Sequence, residues 1–166
     1  MESNDYQLMR WQSSLEGFSE VWSRVHGSAE TDVEPRPGPG ASLRDMAAEA
    51  ERAADYDRTL AGRFRGDGRT LLLRHACQAE IRAKRLRAEV FLADGTQPLR
   101  GESCPCAGNR LVALRSSMLR DESASRAYAA AARRVDGELR TVLTAYADET
   151  KTAAEEKRRL IRRCFA

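Results

Sequence analysis

Aromatic side chains are scarce in this chain, at 6% of 166 residues, and alanine, arginine, glutamate and leucine dominate what remains. Such a composition is poor in the residues that fill strands and suits long packed helices. Only five prolines occur, and they fall in two short stretches: Pro35, Pro37 and Pro39 in EPRPGPGA, and Pro98 with Pro105 in ADGTQPLRGESCPCAGN. Proline costs a helix interior about 3 kcal/mol, so long helices are confined to the proline-free stretches 42–95 and 107–166. No apolar run approaches the roughly 20 residues that span a bilayer, and MESNDYQLMRW lacks the charged-then-apolar pattern of a signal sequence. The expectation is a cytoplasmic protein with no membrane partner. Four unevenly placed cysteines (Cys77, Cys104, Cys106, Cys164) do not make a secreted disulfide framework, so reduced thiols are expected.

Charge of one sign is also missing as a block. The 28 basic and 25 acidic residues are spread along the chain, a pattern that describes a solvated mixed surface and predicts no nucleic-acid partner. The densest basic run, KRRLIRRCFA from Lys157, could touch phosphate or anionic lipid, but it is read first as cations at a helix C-terminus, where the macrodipole favours them.

Each proline-free stretch has a Gly-Asp interruption near its middle, RGDGR at 65–69 and VDGE at 135–138, which predicts a tight turn between two helices. The expected helices run over about 43–65, 69–93, 109–134 and 138–164, with Ser42 as the first N-cap and Asp45 three residues on. A helix of about 24 residues is about 36 Å long, and the connection 94–108 is long enough to run that distance, so the second and third helices can lie parallel. Ahead of them, Leu8, Trp11, Leu15, Phe18, Trp22 and Val25 form an amphipathic stripe over about 5–26. The organisation expected is an all-α fold: residues 1–41 as an amphipathic helix with a Pro/Gly-rich tether, and 42–166 as a four-helix bundle made of two αα-hairpins joined by a long crossover. A homodimer through the bundle or the leading helix is compatible with it.

Sliding the chain by 72 residues places Met46 on Met118, Glu49 on Asp121, Ala53 on Ser125 and Tyr56 on Tyr128. Spacings of three and four keep each set on one helical face, so each hairpin opens with a carboxylate on the same stripe as a tyrosine. In the second helices, Glu80 is in line with Leu73, Cys77, Ala83 and Phe91, and Glu149 with Val142, Tyr146, Ala153 and Leu160. One acid per helix is thus expected inside: Glu49, Glu80, Asp121 and Glu149, with Glu122 as the alternative to Asp121. Four buried carboxylates raise one another's pKa values unless something positive sits among them; a cation, protons or arginines must answer.

The stretches EAERAADY (49–56), QAEIRAKRLRAEVFLADG (78–95) and AYADETKTAAEEKRRLI (145–161) resemble the rubrerythrin-like branch of the ferritin-like superfamily, and FSEVWSRV (18–25) is similar to the leading helix of bacterial ferritin-like proteins of this size. The resemblance implies a ferritin-like bundle holding two irons through a Glu on the first and third helices and a Glu-x-x-His on the second and fourth. Its ligand positions fall on Glu49, Glu80, Asp121 and Glu149. Both histidines of the motif are missing, replaced by Ala83 and by Thr152, the latter able at most to hold a water. His75, about 140° round the helix from Glu80, is expected at an edge or on the surface, and His26 ends the leading helix. Carboxylates without imidazole favour harder ions such as Mn²⁺ over iron.

Two functions follow. One is a degenerate di-metal carboxylate protein, holding iron or manganese or no metal, with iron oxidation or peroxide reduction reduced or lost; as an enzyme it is a non-haem oxidoreductase at most. The other is a metal-free helical scaffold or oligomerisation module. A third, weaker reading uses Cys104 and Cys106 in CPC, but Cys-x-Cys lacks the paired spacing of structural zinc sites.

Overall fold

A computed structural model describes residues 39–96 and 105–165. The leading stripe over 5–26, His26, Cys104 and most of the 94–108 connection lie outside the described residues. Four helices follow one another: α1 Pro39–Ala61, α2 Gly66–Asp94, α3 Arg110–Ala132 and α4 Gly137–Phe165. The fold is all-α, with no strand among the described residues.

The helix ends differ from expectation in a consistent way. α1 starts at Pro39, a residue whose fixed φ suits the first helical turn, so Ser42 lies within the helix and does not cap it. Both turns fall a few residues earlier than the Gly-Asp pairs suggested, at 62–65 and 133–136. The reason is that Gly66 (φ 55°) and Gly137 (φ 68°) do not make the turns; they lead α2 and α4 out of them in a conformation other residues resist. At α3 the chemistry is ordinary capping, with the Asn109 side chain accepting from the Val112 N–H at 3.0 Å.

Contacts at the helix ends fix the directions. Arg44 near the start of α1 pairs with Asp94 at the end of α2 at 3.1 Å, and Arg163 near the end of α4 approaches Asp67 at the start of α2 at 3.7 Å. Arg63, just after α1, donates to the carbonyl oxygens of Cys106 and Gly108, just ahead of α3. Thus α2 and α3 start at the same end of the bundle and run parallel. α1 packs on α2 and α3 on α4; α1 also lies against α3, while α2 touches α4 more lightly.

The core follows strict alternation of four and three. Leu43, Ala47, Ala50, Ala54, Asp57 and Ala61 are buried on α1, Leu72, Ala76, Ala79, Ala83, Leu86 and Val90 on α2, and Leu143, Ala147, Thr150, Ala154 and Lys157 on α4. On these three helices the expected inward stripe is displaced by one residue, about 100° of rotation. Leu73, Cys77 and Phe91, expected inside, are exposed. On α3, where Leu114, Ser117, Asp121, Tyr128 and Ala131 are buried, the expected face holds, and Met46, Tyr56, Ala83, Ala153 and Leu160 of the other expected stripes also stay buried. Two apolar clusters result. Leu43, Met46, Leu86, Val90, Tyr128 and Leu143 fill one end, and Tyr56, Leu60, Phe64, Leu72, Leu114 and Leu160 fill the other.

The rotation of α2 has a direct test. Leu86 is fully buried whereas Ile81 is 59% exposed. Leu86→Ala is expected to cost about 2–5 kcal/mol in urea unfolding, and Ile81→Ala less than about 0.5 kcal/mol. Equal costs would mean that α2 is turned the other way.

Candidate functional site

Between the two apolar clusters lies a layer of buried polar side chains contributed by all four helices. Asp57 comes from α1, His75 and Arg82 from α2, Ser117 and Asp121 from α3, and Thr150 and Lys157 from α4. Each sits on its helix's buried face, so folding the helix in register carries it inward regardless of its polarity.

Lys157 is the centre of this layer. Its side chain has no solvent exposure, and its Nζ lies 2.6 Å from Asp57 Oδ2 and 2.6 Å from Asp121 Oδ2. The other oxygen of Asp57 accepts from the Ser117 hydroxyl. Burial alone would lower the lysine's pKa, but the two carboxylates outweigh it and hold the group above its ordinary 10.5, so the ammonium form persists. Burial pushes Asp121 up, against the pull of Lys157 and with Asp57 adding repulsion. The two directions agree physically: one ammonium cannot fully compensate two desolvated carboxylates, and the excess negative charge makes Asp121 readier to take a proton. Arg82 adds the second positive charge of the layer. Its guanidinium is buried and reaches Glu149 Oε2 at 3.4 Å, and its Nε has no partner among the described residues.

Alongside, His75 is buried, with Nε2 2.7 Å from Glu156 Oε2 and Nδ1 without a partner. This corrects the edge or surface position expected for it. Burial, helped by the nearby Lys157 charge, lowers its pKa below 6.5, so the ring is neutral. Nε2 then donates to Glu156 and Nδ1 is a bare acceptor. Glu156 also receives Arg74 at 2.7 Å; burial pushes its pKa up, but the hydrogen bonds from His75 and Arg74 bring it below the usual carboxylate value.

The four acids singled out in the sequence are not brought together. Asp121 is buried, its side chain 7% exposed, but those of Glu49, Glu80 and Glu149 are 36%, 43% and 46% exposed. Glu49 pairs with Arg52 at 2.8 Å and lies 3.8 Å from Arg120; Glu80 pairs with Arg58 at 2.9 Å and Lys84 at 3.0 Å; Glu149 faces Arg82. Glu122 pairs with Arg158, and Thr152 is exposed. The repeat is therefore real for the buried pair Tyr56 and Tyr128 and not for Glu49 and Asp121.

A di-metal centre of the kind the resemblance implies needs inward-turned carboxylates and imidazoles. Here three of the four candidate ligands are on the flanks with arginines, and the space between the two buried carboxylates is filled by an ammonium. The residues present do not fit such a centre, and among the described residues no three His, Cys, Asp or Glu side chains gather as metal ligands. Among the described residues the layer has little room for a substrate. The void beside Asp121, lined also by Arg82, Arg120, Tyr128 and Thr150, measures about 10 Å³, at most the size of one water molecule. A larger cleft of about 1240 Å³ lies between α1 and α3, but Asp57, Asp121 and Lys157 do not line it.

Asp57 and Lys157 are the members that sequence reasoning missed. Their signal was present: Asp57 ends an alanine row at 47, 50 and 54, and Lys157 continues Leu143, Ala147, Thr150 and Ala154. No protein-family model, curated protein or solved structure matches the chain.

Two outcomes follow. Lys157→Met leaves two buried carboxylates facing each other and is expected to cost about 3–5 kcal/mol near pH 7, whereas Lys151→Met, exposed, costs less than about 0.5 kcal/mol. Without the ammonium the largest offset to the burial that already pushes Asp121 up is lost, so its native pKa rises further above its unfolded value. The penalty is then present above the native pKa and is relieved as pH falls through it, so the variant should regain stability relative to wild type on acidification. A cost that stays constant from pH 7 to pH 4 would contradict the buried triad. For His75 the sign is opposite. Its native pKa is lowered, so the unfolded chain takes the proton first, and stability present above about pH 6.5 declines below it. His75→Gln should flatten the dependence of the urea midpoint on pH between 7 and 5; an unchanged slope would show that the ring is not held neutral.

Proposed function

We propose that this chain is a metal-independent helical scaffold or interaction module in which a resident ammonium neutralises the carboxylates at the centre. The observation that carries the reading is Lys157 Nζ at 2.6 Å from both Asp57 and Asp121, with no solvent exposure. A covalently attached cation fixed between two acids performs the neutralising work that a bound ion performs in a metal-carboxylate bundle. It cannot change oxidation state, and it leaves no open coordination position at which oxygen or peroxide would bind. The polar layer instead fixes the relative height of the helices: sliding one helix past its neighbours by a turn would strand a buried charge without its partner, at several kcal/mol. The apolar clusters on either side stabilise the bundle, and the charged layer selects one register for it. That role makes the outer surfaces of the helices, held in fixed relation, the functional part of the molecule.

The degenerate di-metal reading predicts a different behaviour, so metal uptake separates them. The full chain is incubated anaerobically with Fe²⁺ or Mn²⁺, and bound metal and thermal midpoint are measured. The scaffold reading predicts less than about 0.1 ion per chain after desalting and no rise in the midpoint in millimolar Mn²⁺, since a ligand that binds the native state must stabilise it. One or two ions per chain, lost in a Glu49→Ala/Glu149→Ala variant, would overturn it.

A further inference from the structure

The basic residues that look evenly dispersed along the sequence are not evenly dispersed in space. One end of the bundle is built from the α1–α2 turn and first turn of α2 (59–70), the approach to and start of α3 (105–116), and the end of α4 (158–165). These three stretches carry nine arginines and a single acid, Asp67. Over the opposite end, residues 39–50, 85–96 and 126–140, seven arginines meet six acids. The described residues together hold 24 basic and 17 acidic side chains, a net charge of +7, so the arginine-rich end accounts for all of the excess.

Part of this arginine set has structural work. Arg63 holds the carbonyl oxygens of Cys106 and Gly108, Arg110 stacks 5.9 Å from the Phe64 ring centroid, Arg158 pairs with Glu122, and Arg163 approaches Asp67. Arg65, Arg69, Arg115, Arg159 and Arg162 are exposed and have no ion-pair partner among the described residues. The nearest further acids are Glu155 and Glu156, one turn inward on α4, and Glu156 is already engaged by Arg74 and His75. Helix dipoles explain only some of the set. They favour Arg162 and Arg163 in the last turn of α4, but they oppose Arg65, Arg69 and Arg110, which sit at the positive N-terminal ends of α2 and α3. Gathering cations against both their mutual repulsion and two helix dipoles destabilises the isolated fold, and a polyanion in contact with this end removes that cost.

We propose that this end of the bundle binds the phosphate backbone of a nucleic acid without reading its sequence; the proposal stands whatever neutralises the centre. Guanidinium groups suit phosphate oxygens through paired N–H donors. Beyond arginine, which can pair with guanine, base readout has little matching equipment here. The three stretches contain one amide side chain, Asn109, whose oxygen is used as a cap, and of the aromatic residues only Phe165 is exposed. An anionic membrane is the less suitable surface, because interfacial docking joins cations to a broad apolar face. Only Val112 and Phe165 among the large exposed apolar residues accompany these arginines; Leu73, Ile81, Leu92 and Leu119 lie farther along the helices.

The test is fluorescence anisotropy of the full chain titrated into a labelled 20-base-pair DNA duplex and the corresponding single strand, with sedimentation onto phosphatidylserine–phosphatidylcholine vesicles in parallel. The five arginines without an ion-pair partner among the described residues predict a slope of log affinity against log salt of about −4 to −5 on duplex, and affinity unchanged on scrambling the sequence. Arg159→Glu/Arg162→Glu and, independently, Arg65→Glu/Arg69→Glu should each weaken binding at least about tenfold. Arg133→Glu/Arg134→Glu, the same change in net charge at the opposite end, should weaken it less than about threefold. All variants are checked for an unchanged helical signal, and the wild-type salt slope stands as a measurement that needs no variant. No binding to either nucleic acid below about 100 μM protein at 50 mM salt, equal loss in all three double variants, or binding to vesicles alone would each overturn the proposal.

Discussion

A buried lysine held between two aspartates is the constraint on which this bundle depends. Taking an ammonium and two carboxylates out of water costs several kcal/mol per ion before any attraction is counted. The arrangement persists because each desolvated group meets its opposite at hydrogen-bond distance: Nζ at 2.6 Å from Asp57 and from Asp121, with Ser117 donating to the remaining oxygen of Asp57. Apolar residues of similar volume could stabilise a four-helix core as well or better. What they could not do is tell α1, α3 and α4 where to stop sliding. Half of the buried apolar residues are alanine, which offers little relief from one helical turn to the next, so a register fixed by charge compensates for rows that are weak in shape. The same alanines let the helix backbones approach closely enough for short aspartate side chains to reach a lysine on another helix.

The layered core explains why function and fold separate here. Above and below the charged layer, leucines, two tyrosines and Phe64 form the clusters that supply most of the burial. The layer itself is buried, its two aspartates share one ammonium, and its histidine is neutral and tied to Glu156. A centre with that description positions helices. Surface chemistry, and in particular the gathered arginines at one end, is where the molecule meets something else.

The all-α class, the four described helices and their two hairpins were legible from proline placement and the Gly-Asp interruptions, whereas linker length allowed the parallel run of α2 and α3 without requiring it. The charged centre was only half legible, and the reason is rotational. Amphipathicity in an alanine- and arginine-rich helix is shallow: alanine occurs on every face, and α2 carries an outer stripe of Leu73, Cys77, Ile81 and Leu92 to rival the inner one of Leu72, Ala76, Leu86 and Val90. An error of one residue turns a helix by about 100°, enough to bring Glu49, Glu80 and Glu149 inward on paper and leave Asp57 and Lys157 outside. On α3 the sequence left Asp121 and Glu122 both open; Asp121 is the buried one, and Glu122 pairs with Arg158 on the flank. The expectation that buried acids need a positive neighbour held; its source, a lysine that continues the row Leu143, Ala147, Thr150 and Ala154, was obscured by the run of basic residues it opens, which reads as solvated. The arginine-rich end was invisible for a different reason, since its members come from three stretches up to about 90 residues apart that only the fold assembles.

The chain contains three lysines, Lys84, Lys151 and Lys157, and only the last is buried, which makes its ammonium observable by itself. The most direct measurement is nitrogen-detected NMR of the lysine side chains at pH 7. A desolvated ammonium locked between Asp57 and Asp121 should give one NH₃⁺ resonance with slow proton exchange that disappears in Lys157→Met, while Lys84 and Lys151 exchange too fast to be seen. Three rapidly exchanging lysines, or a Lys157 side chain that reacts with acetylating reagents as readily as the other two, would contradict the account.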